Sequence, residues 1–232
     1  MIPFCRLCYS VDAAPLPFSV GPQDGNWVRC AACGSDSNLA RYDPAVYNED
    51  FSLIHLANIG GIEIARDMVK GNCGWFDRFA LPEVARTFLD VGCADGSALD
   101  VMAAAGWAVH GFDVARPHYY GPHVTVGPVF HRWLFPRRYG ATLCREVLEH
   151  VESPEFLLHE LAGATLPGGL VQVQTPAPTD HYDPGIYQSL HQFAPAPEQL
   201  RKMFNAAGLD VVDEMHWGDR QPGQAYLCRV RK

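Results

Sequence analysis

No run of about 18 apolar residues occurs in the 232-residue chain, so no segment has the length to cross a bilayer as a helix. The first residues, Met1-Ile-Pro-Phe-Cys5, carry no basic segment ahead of an apolar core. No secretory signal is therefore expected, and a cytoplasmic location is. Internal repeats and low-complexity tracts are missing, and the 18 prolines concentrate in loops. Positive charge is scarce: 18 Lys and Arg stand against 26 Asp and Glu, a formal net charge of −8. That balance disfavours a broad phosphate-gripping surface, so nucleic acid is not the expected partner. What remains, 48% hydrophobic and 19% charged, suits one globular α/β domain plus a small module.

Cysteine is not scarce. Four of the eight form two knuckles, Cys5-x-x-Cys8 and Cys30-x-x-Cys33, separated by 21 residues. Without an export signal, such spacing points to metal or reduced thiols and away from a disulfide framework. Two knuckles complete a tetrahedral four-sulfur site for structural zinc. A redox C-x-x-C or chance cysteines are the weaker alternatives. The expectation is a zinc-ribbon-like module over residues 1–41, remote from any chemistry. Cys73, Cys144 and Cys228 read as small buried hydrophobes.

The most informative stretch is Thr87-Phe-Leu-Asp-Val-Gly-Cys-Ala-Asp-Gly-Ser97, followed by the apolar run Leu99–Ala105 and then Ala108-Val-His-Gly-Phe-Asp113. A strand, a Gly turn, a helix and a second strand ending in an acid make the first β-α-β unit of a nucleotide-binding sheet. Asp113 can accept from both hydroxyls of a ribose. The turn carries acids at both ends, Asp90 and Asp95. These repel a pyrophosphate and suit a cationic, amino-acid-bearing ligand.

This turn resembles motif I of the class I S-adenosylmethionine (SAM)-dependent methyltransferases, D-x-G-x-G-x-G, with Ala94 in place of the middle Gly. The resemblance covers roughly residues 82–232. It includes Tyr139–Val151 as the fourth strand and its loop, and a helix opened by Ser153-Pro-Glu155. Leu166-Pro-Gly-Gly169 turns into the strand Leu170–Thr175. A helix Pro197–Gly208 follows, then two closing strands, Leu209–Trp217 and Ala225–Val230. It implies a Rossmann-like α/β sheet, mostly parallel with an antiparallel last strand, and SAM as cofactor. The implied SAM contacts are Asp90, Gly92, Cys93, Ala94, Gly96, Asp113, Val114, Val129, Phe130 and Arg145. No acid at the end of the third strand offers itself to adenine, so backbone near Val129 and Phe130 is the expected substitute.

Between module and domain lies a helical linker or lid, 42–81. One helix is expected with apolar positions Leu53, Ile54, Leu56, Ala57 and Ile59. A second should run from Ile62 to Val69, ending around Gly71-Asn72, with Trp75, Phe76 and Phe79 completing a lid over the cofactor.

For chemistry, Glu146-x-x-Glu149-His150 stands at i, i+3, i+4, one face of a helical turn, with His191 downstream. It resembles the ExxEH…H site of metal-dependent O-methyltransferases of small RNA and of ubiquinone biosynthesis. That likeness implies a divalent Mg, Mn or Fe ion on Glu146, Glu149, His150 and His191. The same residues also read as a metal-free centre, with His150 or His191 as base and Glu149 beside it, or as loop structure. The Pro- and aromatic-rich residues 176–193 are expected to cap the acceptor. The leading function is methyl transfer to a small-molecule or sugar-type acceptor, with oxygen the favoured atom. An RNA methyltransferase and a catalytically silent SAM-fold interaction protein are the alternatives. Oligomeric state is open.

Overall fold

The computed structural model describes residues 5–16, 26–40, 62–114, 123–128, 130–135, 137–181, 183, 186, 190–218 and 222–232. The expected helix around Leu53–Ile59 and the residue Val129 lie outside these.

Strands β4 (Thr87–Val91), β5 (Ala108–Asp113), β6 (Val124–Val126), β7 (Tyr139–Arg145) and β8 (Thr165–Pro176) pair in parallel. β11 (Gly223–Val230) runs antiparallel to β8, and β10 (Leu209–Trp217) antiparallel to β11. The order is β10-β11-β8-β7-β4-β5-β6. The mostly parallel sheet with an antiparallel last strand is therefore present. Its central strands read as unbroken apolar runs because helices cover both faces. On one face Phe88, Leu143 and Leu227 pack under Val69 and Phe76 of α1 (Ile62–Phe79) and Leu99 of α2 (Ser97–Ala104). On the other, Leu89, Val171 and Tyr226 pack under Leu158 and Leu161 of α3 (Pro154–Ala164) and Phe204 of α4 (Pro197–Ala206).

Two expectations are corrected. Helix α1 does not stop near Gly71-Asn72 but continues to Phe79. Val69, Cys73 and Phe76 recur at i, i+4, i+7 as its buried stripe, and that burial outweighs the ~1 kcal/mol cost of each interior glycine. The helix is also a layer of the domain, with Phe76 edge-on to Phe88 and Arg66 paired with Asp100 of α2. Leu166-Pro-Gly-Gly169 is not a separate turn but an irregularity inside β8, between the pairs Tyr139↔Thr165 and Ala141↔Leu170.

A second sheet holds β1 (Ala13–Pro15), β2 (Trp27–Cys30), β3 (Asp36–Asn38) and β9 (Phe193–Ala194), in that order and all antiparallel. Three strands come from the cysteine module. The fourth comes from the segment after β8.

Gly140 in β7 has no room for a side chain: a Cβ there would sit 1.8 Å from the Ala85 carbonyl oxygen. Backbone must move to admit even a methyl group. Gly140→Ala is expected to lower unfolding free energy by about 3 kcal/mol, read from urea denaturation.

Candidate active site

The loop after β4 folds back on β5: Gly92 N–H and Cys93 N–H donate to the Phe112 carbonyl at 2.8 and 3.0 Å. Gly92 and Gly96 have φ of 77° and 76°, a region that glycine enters without strain. At Gly92 a Cβ would also lie 2.2 Å from Val147 Cγ2, so the closest approach there is to the turn after β7. Ala94 has φ of 43°. The Gly-to-Ala departure is therefore a matter of backbone strain, about 1–2 kcal/mol. Ala94 N–H donates to Asp113 Oδ2 at 2.8 Å, so Asp113 ties the loop as well as standing at the strand end. Asp95 Oδ1 accepts from Ser97 N–H at 2.8 Å.

Three acids and one arginine set the charge around this loop. Burial pushes the Asp90 carboxyl up to about 7; Arg145 opposes the shift, and the negative charges of Asp113 and Asp95 add to it. Cys93 is buried with its sulfur against Gly111, which has no room for a side chain. Val114 is exposed, and Phe130 is buried edge-on to Phe112.

Glu149, His150 and His191 converge, each offering one ligand atom within 4.8 Å of the others. The histidine rings meet edge to face at 4.6 Å. His150 Nδ1 lies 3.3 Å from the Leu190 carbonyl and His191 Nδ1 2.9 Å from that of Ile186. A carbonyl only accepts, so both Nδ1 atoms carry the proton and the acceptor lone pairs sit on Nε2. His150 Nε2 is 3.9 Å from Glu149 Oε1. That oxygen is buried without a hydrogen-bond partner among the described residues, while Oε2 accepts from Thr175 Oγ1 at 3.0 Å. Burial pushes His150 down to about 3, helped by His191, and His191 down to about 4. Burial, then repulsion from Glu146, holds the Glu149 carboxyl well above its usual range.

Glu146 does not share a helical face with them. It adopts φ of 53°, and a single 3-10 turn, Leu148–His150, follows. Its carboxylate is exposed and accepts from Gln174 Nε2 at 2.8 Å, beside Glu149 but outside the three-residue cluster. Asn72 of α1 donates to Gln174 Oε1 at 2.7 Å. Asn72, Gln174 and Thr175 went unmarked by sequence reasoning. For Gln174 and Thr175 the signal was polar residues at the carboxyl end of an otherwise apolar strand; Asn72, within α1, offered none.

The four knuckle thiols converge too, with Cys5–Cys33 and Cys8–Cys30 sulfurs 3.7 and 3.5 Å apart. Those spacings are far beyond a disulfide and near the ~3.8 Å edge of a tetrahedron with metal–sulfur bonds of about 2.3 Å. The module is not remote from the other cluster: Asn38 Nδ2 donates to the His191 carbonyl at 3.0 Å.

A family model described as a methyltransferase domain matches residues 64–214. Over 153 residues the chain is 31% identical to a ubiquinone biosynthesis O-methyltransferase of Azoarcus sp. (strain BH72), covering 60% of this chain and 59% of that protein. A protein of the same name from Serratia proteamaculans (strain 568) is 35% identical over 102 residues, 39% of this chain and 42% of that one. The chain thus spans about three fifths or less of the curated relatives it matches. Among solved structures, a Burkholderia thailandensis 1,6-didemethyltoxoflavin-N1-methyltransferase superposes with a TM-score of 0.59 at 13% identity, covering 93% of this chain and 99% of that one. A magnesium protoporphyrin IX methyltransferase from Synechocystis PCC 6803 gives 0.58 at 17%, covering 84% and 100%. These likenesses establish a shared fold.

The Asp90 proton has a measurable consequence. The folded state holds it up to about pH 7, whereas an unfolded carboxyl releases it near 4. Stability therefore falls as pH rises between those values and stays penalised above them. Asp90→Asn is expected to be more stable than wild type at pH 8 by on the order of 4 kcal/mol relative to the same comparison at pH 4. Urea midpoints at both pH values check this.

Proposed function

Because the chain belongs to the methyltransferase-domain family, we propose that it transfers the SAM methyl group to a hydroxyl oxygen of a small-molecule or sugar-type acceptor. The observation that carries this reading is the contact of Gly92 with Val147. It joins the acid-ringed loop, which suits SAM, to the turn bearing Glu149 and His150, on one edge of the sheet. Relatives named ubiquinone biosynthesis O-methyltransferase favour oxygen as the accepting atom.

In this reading Asp113 accepts from the ribose hydroxyls while holding the loop through Ala94. Asp95, and Asp90 once it has released its proton, add negative charge where a sulfonium and an ammonium group would lie, offset in part by Arg145. Gly96, Cys93 and Val114 line the same loop and strand end. Backbone at Phe130 serves adenine. The reaction is an in-line displacement: the acceptor oxygen forms the new carbon–oxygen bond as the carbon–sulfur bond breaks, and the hydroxyl proton must leave. Alignment supplies much of the acceleration.

The cluster fits a divalent cation on the structure's own terms. Two Nε2 lone pairs and an orphaned carboxylate oxygen lie close together, and both Nδ1 atoms are anchored on carbonyls. Glu149, His150 and His191 would hold it, with Glu146 completing the set after releasing Gln174. Bound Mg, Mn or Fe would act as a Lewis acid that lowers the acceptor's pKa. Neutral imidazoles protonated on Nδ1, with Nε2 the accepting nitrogen, also favour a second version, in which His150 or His191 takes the proton itself. The thiolates of Cys5, Cys8, Cys30 and Cys33 would hold structural zinc.

Asp113→Ala is expected to weaken SAM binding at least tenfold in calorimetry, and unchanged affinity removes Asp113 from the site. Chelation is expected to stop methylation of phenolic and sugar alcohols, followed by mass spectrometry, without loss of SAM binding; Mn without added zinc should restore it. Full activity in chelator with His150→Ala inactive selects the general-base version. If His150→Ala and His191→Ala both retain full activity, neither version stands.

A further inference from the structure

We infer that the cysteine module is a positioning element of the Glu149–His150–His191 centre, with Asn38 the residue that transmits its hold to His191. The inference rests on the reading of that centre as catalytic.

The peptide at 191–192 is gripped from both sides. Asn38 Nδ2 donates to the His191 carbonyl at 3.0 Å, and Asn38 N–H to the Gln192 carbonyl at 2.8 Å. From the other side, Gln192 N–H donates to the Glu149 carbonyl at 2.7 Å. Arg6, inside the first knuckle, donates to Gln192 Oε1 at 2.7 Å. One residue before the second knuckle, Arg29 reaches the Thr179 carbonyl at 2.6 Å and pairs with Asp180. The carbonyl that sets the His191 tautomer belongs to Ile186, whose side chain packs with Leu16, Trp27 and Ala194. Both the placement and the tautomer of His191 thus rest on the module.

Asn38 Oδ1 has a separate task, accepting from Asn26 N–H and Ala40 N–H at 3.1 and 3.0 Å within the module. Asn38→Asp keeps those acceptors and removes the donor to His191. Arg6→Ala cuts a different contact, to the Gln192 side chain, together with the bond to the Ala40 carbonyl. In both variants, amide exchange at Gln192 should speed at least tenfold, while zinc content matches wild type and SAM affinity stays within twofold. Mn binding at the centre, followed by electron paramagnetic resonance, should weaken at least tenfold; thiolates compete poorly for Mn. Unchanged exchange at Gln192 in both variants overturns the inference. Zinc loss with fast exchange across the whole module overturns the assignment of Asn38, which would then hold only the module. If wild type binds no Mn, the metal reading fails by itself. Exchange at Gln192 and modification of His191 by diethyl pyrocarbonate then decide: faster in the variants supports the coupling, equal to wild type overturns it.

Discussion

The arrangement turns on one steric fit: Val147 Cγ2 occupies the space that a side chain at residue 92 would need. β4 and β7 are neighbours in the sheet, so the turns that follow them must share the same edge. Glycine at 92 lets them nest without a gap. A methyl group at 92 would push the loop off β5, loosening the Gly92 and Cys93 bonds to Phe112 and the Ala94 bond to Asp113. It would equally push the turn that seats Glu149 and His150. Loop and turn are two sides of one contact.

Around that contact the protein buries acids and imidazoles at a cost in solvation that Arg145 offsets only in part. Asp90, Glu149, His150 and His191 are each held away from their ordinary ionisation, and burial is the first cause in every case. A core built only for stability would fill these positions with apolar side chains. The strained backbones of Ala94 and Glu146 lie at the same edge. Concentrated cost of this kind marks the part of a fold that serves chemistry.

Legibility in the sequence followed the range of the interactions. The β4–loop–α2–β5 unit is local, and its apolar runs, glycines and strand-end acid were readable in order. The helix opened by Ser153 was readable because its cap lies within one turn, with Ser153 Oγ accepting from Phe156 N–H. The length of α1 was not, because Gly71 and Gly74 argue locally for a break while Phe88 and Leu99, outside the helix, hold it together. The pairing of His150 with His191 was legible as chemistry only. That Glu146 stands outside their cluster follows from a left-handed bend that no residue type announces. The docking of the cysteine module was invisible, because β3 and β9 are joined by backbone hydrogen bonds, which leave no pattern of side chains to read.

That strand exchange also dictates an order of events during synthesis. β9, at Phe193–Ala194, emerges from the ribosome more than 150 residues after β3, at Asp36–Asn38. Until then the outer edge of β3 offers unpaired backbone groups, the kind of edge that captures strands from other chains. Asp36 is already engaged by Arg29, placing a charged pair of side chains along that edge. The small sheet thus has three strands made ahead of the large sheet, and its fourth only after β4–β8. Its closure waits on the segment that carries His191, so the nascent module stays incomplete until that histidine has been translated.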